Sequence, residues 1–286
     1  ASRSHEKGKN MITVQNKNFS ASQICMSGQC FRMEACGENR YRLVAKGKYL
    51  ELSQQEDDIL FDCTQEEYHQ IWKDYFDMDT DYAKVIAGID TEDTYLSAAA
   101  DYGKGIRILH QDLWEMIISF LISQQNNIKR IRKCVNQLCE KYGEKRKSAN
   151  GVAYFDFPTP KALAEAQLED LYACGLGYRS KYVRATANSV YSGELDLSKL
   201  WTMNYDAAKK ELLKLYGVGT KVADCICLFA LHKTDAFPRD THINKVLGLQ
   251  YPEGFPFDKY GKNSGILQQY IFYYDLEKGS LKKISK

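Results

Sequence analysis

Two helical patterns meet at a Gly-x-Gly turn, and no other stretch restricts the fold of this chain as much. The first pattern runs from Tyr205 to Lys214, the glycines are Gly217 and Gly219, and the second runs from Thr220 to Leu231. Short helices joined by a glycine hairpin form a helix-hairpin-helix, here at residues 205–231. The glycines let the backbone bend tightly and come close to a ligand. Backbone N–H groups left free at the start of the second helix favour an anion, and a DNA phosphate fits that description. Lys221 lies in the first turn of that helix, where the dipole disfavours an ammonium. Its presence there is not explained by helix stability.

The chain has 286 residues, 44% of them hydrophobic. That is enough for a large core and for two domains sharing one cleft. No apolar run approaches the length of a membrane span, so no membrane association is expected. Nine cysteines form no even, paired framework. Reduced thiols and an intracellular setting are therefore expected. The net charge of +2 does not by itself announce nucleic acid. Its distribution says more. Residues 56–93 hold 13 acidic side chains against two basic ones, Lys73 and Lys84. Basic residues gather later, at Lys129, Arg130, Arg132 and Lys133, at Lys141 and Lys145 to Lys147, and at Arg179, Lys181 and Arg184. Two ordinary solvated faces would also look like this, but a basic side opposite an acidic one suits a protein that presents one side to DNA.

The polar residues Ala1 to Asn10 precede Met11 and read as an appended remnant outside the fold. From Met11 to about residue 65, β-branched and aromatic runs alternate with turn residues. Arg40 to Ala45 and Asp58 to Cys63 read as strands, with turns at Gly37-Glu38-Asn39 and Lys46-Gly47-Lys48. Helical periods begin with Glu66 to Phe76. Asp112 is placed to cap an apolar helix from Leu113 to Ile122, and Thr159-Pro160 to start another at Lys161. Asp240 follows Pro238 and can cap a helix beginning near Thr241. The chain is expected to be α+β, an N-terminal antiparallel sheet domain at 11–100 joined to a mostly helical body at 101–286.

Five segments, in order along the chain, resemble the 8-oxoguanine branch of the helix-hairpin-helix base-excision DNA glycosylases. Ser27-Gly28-Gln29-Cys30-Phe31-Arg32 resembles the family's N-terminal pocket loop. Gln125-Asn126-Asn127-Ile128-Lys129-Arg130-Ile131 is similar to its strand-wedging loop, and Gly175-Leu176-Gly177-Tyr178-Arg179 to its second DNA-contacting turn. Val218 to Leu228 resembles the hairpin's second helix, and Gln268 with Phe272 a C-terminal base-recognising pair. The resemblance implies a bifunctional enzyme that excises 8-oxoguanine from duplex DNA and then nicks the strand. Lys221 would be the nucleophile that leaves a Schiff base. Asp240, 19 positions later, would stabilise the developing sugar cation.

The other roles follow from the same resemblance. The Gly28 carbonyl would read the N7 proton that distinguishes 8-oxoguanine from guanine. Phe272 would stack on the base, Gln268 would bond its Watson–Crick edge, and Cys225 would cover the opposite face. The nearby ammonium is expected to lower the Cys225 pKa. Taken alone, Gly28 reads as a hairpin glycine, Phe272 as core and Cys225 as an inert buried thiol. His242 would lie near the lesion's phosphate. Gln125, Asn126 and Asn127 would fill the gap left by the flipped base, and Arg130 and Arg179 would contact the orphaned partner beside Tyr178. Two residues depart from the pattern: Gln125 stands where the family has asparagine, and Tyr216 where the hairpin usually has proline. No metal ligands and no required cofactor are expected, and a monovalent cation at the hairpin is left open. The expected partner is double-stranded DNA containing 8-oxoguanine, bound by a monomer. Two other readings stand beside this one. A non-catalytic helix-hairpin-helix module would lack a use for Lys221 with Asp240. An endonuclease III-like glycosylase would need clustered cysteines near its C-terminus, and none follows Cys227.

Overall fold

A computed structural model describes residues 11–278; the appended remnant read at 1–10 lies outside the described residues. Five strands open the chain: β1 (Met11–Gln15), β2 (Met33–Gly37), β3 (Arg40–Ala45), β4 (Lys48–Gln55) and β5 (Asp58–Asp62). They form one antiparallel sheet in the order β1-β5-β4-β3-β2. The hairpin connections have positive φ at Asn39, Lys46, Gly47 and Glu56, which matches the twist of the flanking strands. Tyr41, Leu43 and Ala45 alternate inward on β3, and Leu50, Leu52, Ile59 and Phe61 do so on β4 and β5. This buried face closes over Tyr68, Trp72, Tyr75 and Phe76.

The helical stretch expected at Glu66 to Phe76 is interrupted. Short α-helices at Gln65–Glu67 and Lys73–Tyr75 flank a π-helical turn at Tyr68–Trp72. The wider turn lets Tyr68, Trp72, Tyr75 and Phe76 all enter the same core, while Trp72 donates its indole N–H to Glu67 at 2.9 Å. The small hairpin Lys145–Lys147 with Ala153–Phe155 was not anticipated. Three exposed basic residues hide its first strand, because strand patterning needs a buried face.

The larger core belongs to the helical body. It includes α1 (Leu113–Ser123), α2 (Ile128–Tyr142), α3 (Arg179–Tyr191), α4 (Tyr205–Leu212), α5 (Thr220–Phe229), α6 (Thr241–Gln250) and α7 (Ser264–Lys278). The helix Thr94–Gly103 also packs in this core, stacking Tyr102 on Tyr273 with ring centroids 5.6 Å apart. The sequence boundary near residue 100 therefore falls inside the helical packing. Asp112, Thr159 and Asp240 cap their helices as their positions suggested. No helix of the described residues is long and apolar enough to cross a membrane. Eight of the nine cysteines are buried, and Cys36 on β2 is exposed.

Candidate active site

The hairpin between α4 and α5 has two glycines with different reasons to be there. Gly217 has φ +88, and a Cβ on it would lie 2.4 Å from the ring of Tyr182. Gly219 has φ −94 and open space around it. Only Gly217 is demanded by the fold; Gly219 keeps the surface clear at the start of α5. It offers no side-chain cap, so the first-turn N–H groups of α5 are available to an external acceptor. The two helices are tied by Asp224, which is 3% exposed and accepts from Tyr205 Oη and Lys209 Nζ, both at 2.7 Å. Tyr216, in the usual proline position, is fixed by an edge contact with Tyr182, whose ring in turn meets Tyr178.

Helix α5 carries Lys221 into a cleft of about 900 Å³. The same cleft is lined by Asp240, His242, Gly28, Phe272, Gly219 and the loop Gln125 to Asn127. Segments separated by more than 200 residues in sequence thus converge on one concavity. The Lys221 ammonium lies 5.5 Å from the centroid of the Phe120 ring. Asp240 caps α6 by accepting from the Ile243 N–H at 2.7 Å. Such a cap keeps a carboxylate next to a positive helix end. His242 Nε2 meets the buried Asp275 carboxylate at 2.9 Å, and its ring meets Phe272 edge-on at 6.0 Å.

Gly28 has φ +76, and a Cβ there would touch the Phe272 ring at 3.4 Å. Its loop is held by Gln29, which is wholly buried. The Gln29 amide donates to Ser27 Oγ and the Arg107 carbonyl, accepts from the Leu109 N–H, and its own backbone carbonyl receives Gln111. A main-chain carbonyl at Gly28 is therefore presented from a rigid frame. Gln29 is a positioning residue that sequence reasoning passed over, because a buried glutamine has no signature in a pattern.

Several expected site residues stand elsewhere. Gln268 is 3% exposed and does not line the cleft; it donates to the Pro238 carbonyl at 3.0 Å and accepts from Gln269. Cys225 is buried behind Lys221, and burial pushes its thiol up to about 11 despite the adjacent ammonium. The expected lowering is reversed because desolvation outweighs the attraction. Arg179 is 4% exposed. Its guanidinium donates to the carbonyls of Gln124, Gln125 and Leu176, and it stacks on Tyr178 with 4.5 Å to the ring centroid. It clamps the loop rather than projecting from it. Arg130 and Tyr178 are exposed but do not line the cleft.

The loop itself is strained. Gln125 has φ +47, a conformation that asparagine tolerates far better than glutamine. Asn126 donates to the Ile122 carbonyl and Asn127 caps α2. Gln124 reaches across to the Gly217 carbonyl at 3.0 Å, joining loop to hairpin. Of the basic side chains, Lys141 and Arg146 are paired with carboxylates and Arg132 donates to the Cys25 carbonyl. Lys129, Arg130, Lys133 and Lys181 remain exposed. The cleft is also lined by Phe31, Phe120, Arg239 and Asn244, for which no function was anticipated.

Comparison with known proteins agrees with this architecture. Residues 11–117 match the family described as 8-oxoguanine DNA glycosylase, N-terminal domain. Residues 118–251 match the HhH-GPD superfamily of base excision DNA repair proteins. The chain belongs to the 8-oxoguanine DNA glycosylase family. A relative within it, a probable N-glycosylase/DNA lyase of Methanothermobacter thermautotrophicus, is 32% identical over 222 residues, 68% of this chain and 70% of that protein. An N-glycosylase/DNA lyase of Saccharomyces cerevisiae is 38% identical over 162 residues, which are 52% of this chain but only 42% of the yeast protein. The fold matches an 8-oxoguanine glycosylase/lyase of Clostridium acetobutylicum, solved with DNA carrying cytosine opposite 8-oxoguanine. That match has a TM-score of 0.87 and 36% identity, covering 96% of this chain and 97% of the other.

Proposed function

We propose that this family member is a bifunctional DNA glycosylase and lyase that excises 8-oxoguanine from duplex DNA and then nicks the strand. The observation that carries the reading is the convergence of Lys221 and Asp240 on one cleft, each at the start of a helix, with Phe272 and Gly28 on its walls. A non-catalytic DNA-binding module has no use for that pair.

The phosphate backbone docks on the open N-terminus of α5, where Gly219 leaves room and the first-turn N–H groups donate. The damaged nucleotide rotates out of the stack into the cleft. Phe272 stacks on its face, and the Gly28 carbonyl accepts the N7 proton that guanine lacks. The Lys221 amine attacks C1′, and the base departs with the electrons of the glycosidic bond. Asp240 stabilises the positive charge that develops on the sugar. The nitrogen lone pair then expels O4′, which takes up a proton as the sugar ring opens, and the iminium so formed makes the C2′ proton acidic; loss of that proton expels the 3′ phosphate by β-elimination. Cys225, protonated at neutral pH by its burial, stays neutral behind Lys221. Gln268 supports the pocket from behind through Pro238.

The test is borohydride trapping on an 8-oxoguanine duplex. Lys221→Gln is expected to abolish both the trapped adduct and strand nicking while keeping most DNA affinity. Undiminished trapping by that variant would remove Lys221 from the mechanism. Wild-type binding with no trapping and no excision would leave only the DNA-binding module.

A further inference from the structure

Away from the cleft, three side chains from distant parts of the sequence converge. Asp77, His110 and His232 bring one ligand atom each to within 4.8 Å of the others. The histidine rings stack with centroids 3.7 Å apart and planes 22° apart, and the Nε2 atom of each approaches the Asp77 carboxylate. His110 Nε2 lies 3.5 Å from Asp77 Oδ1, and His232 Nε2 lies 3.5 Å from Oδ2. That separation is long for an N–H···O hydrogen bond, and His232 Nε2 is buried with no hydrogen-bond partner. Taken singly, each separation is close to one edge of a tetrahedron around a zinc ion, where ligand bonds of about 2.1 Å set neighbouring donors about 3.4 Å apart; the set of three donors is looser, lying within 4.8 Å of one another.

The surroundings are those of a built site. Each Asp77 oxygen already accepts one hydroxyl, Thr80 on Oδ1 at 2.7 Å and Tyr82 on Oδ2 at 2.9 Å. These bonds fix the carboxylate and leave its remaining lone pairs toward the imidazoles. A second carboxylate, Asp74, stands 3.8 Å from His110 Nδ1, behind the ring. Asp77 and His232 both adopt positive φ, +50 and +51. Two non-glycine residues kept in that region imply that the surrounding structure over-determines them. The Arg107 guanidinium, 1% exposed, helps by donating to the Asp77 backbone carbonyl.

We propose that Asp77, His110 and His232 form a binding site for a divalent transition-metal ion of the zinc type, with water completing the coordination. The ion has a structural role. Asp77 belongs to the core under the sheet, His110 to the connector before α1, and His232 to the turn just beyond α5. A bound ion ties the N-terminal core to the far end of the helix that presents Lys221.

The experiment uses the full chain stripped with chelator and titrated with cobalt(II), then with zinc. The expected result is one cobalt site with weak visible d–d bands and no intense thiolate charge-transfer band, displaced by zinc. His232→Asn keeps a residue that tolerates positive φ, and His110→Gln is an independent second variant. Each is expected to weaken zinc binding by at least about tenfold and to abolish the zinc-dependent rise in melting temperature. Zinc affinity unchanged in both variants would overturn the proposal. So would a cobalt spectrum dominated by thiolate, or no binding at all, in which case the histidines merely stack beside the Asp77 carboxylate.

Discussion

Arg179 shows how much a side chain's meaning depends on where its donors go. A motif places it beside an orphaned base; the structure spends its donors on the carbonyls of Gln124, Gln125 and Leu176. Those bonds hold Gln125 at a φ that glutamine resists. Arg179→Met removes the clamp and takes the guanidinium donors from the carbonyls of Gln124 and Gln125, at a cost of about 1–3 kcal/mol. Unfolding by denaturant is expected to show that loss, and single-turnover excision is expected to fall by the same factor opposite every partner base. A loss confined to cytosine would return Arg179 to the role of base reader. At this scale the sequence was legible where chemistry is carried by residue type and a fixed neighbour. Lys221, Asp240, Gly28 and Phe272, each singled out by its motif, line one cleft. It was not legible where burial decides, as with Gln268, Gln29 and the Cys225 thiol, because burial is set by segments far away in sequence.

The hairpin element separates folding from binding in its two glycines. Gly217→Ala must place a methyl group against the Tyr182 ring at φ +88, and is expected to lower stability by more than about 2 kcal/mol. Gly219→Ala meets nothing in the protein and should leave the melting temperature nearly unchanged. It crowds the approach to the α5 N-terminus, so DNA affinity is expected to drop while stability holds. Comparable stability losses in the two variants would show that the distinction is wrong. The helices and caps around this element were readable because glycine, proline and capping residues act locally. The π turn at Tyr68–Trp72 was not, since it is imposed by four aromatic side chains sharing one core.

For the whole molecule, sheet and helical body meet through a buried ion pair. Arg32, just before β2, approaches Glu115 of α1 at 3.4 Å and also donates to the Phe155 carbonyl. Burial pushes the Glu115 carboxyl up to about 7, with Arg32 opposing that shift. A carboxyl raised in the folded state favours folding while protonated. Its contribution is full below the unfolded value of about 4.5 and is lost as pH rises through about 7. Stability is expected to decline across that window by up to about 3 kcal/mol, and Glu115→Gln should flatten the decline. A steeper profile in that variant would contradict the assignment. The α+β organisation was legible from the change of hydrophobic period near residue 66. The packing of Thr94–Gly103 with the C-terminal helix was not, because contacts between ends of the chain leave no local trace. The distribution of sulfur has a practical corollary. With Cys36 alone exposed, a thiol-specific dye should attach at a single point on the sheet, outside the residues that line the cleft. The unaltered chain can thus carry one fluorescent label while its eight buried thiols stay shielded.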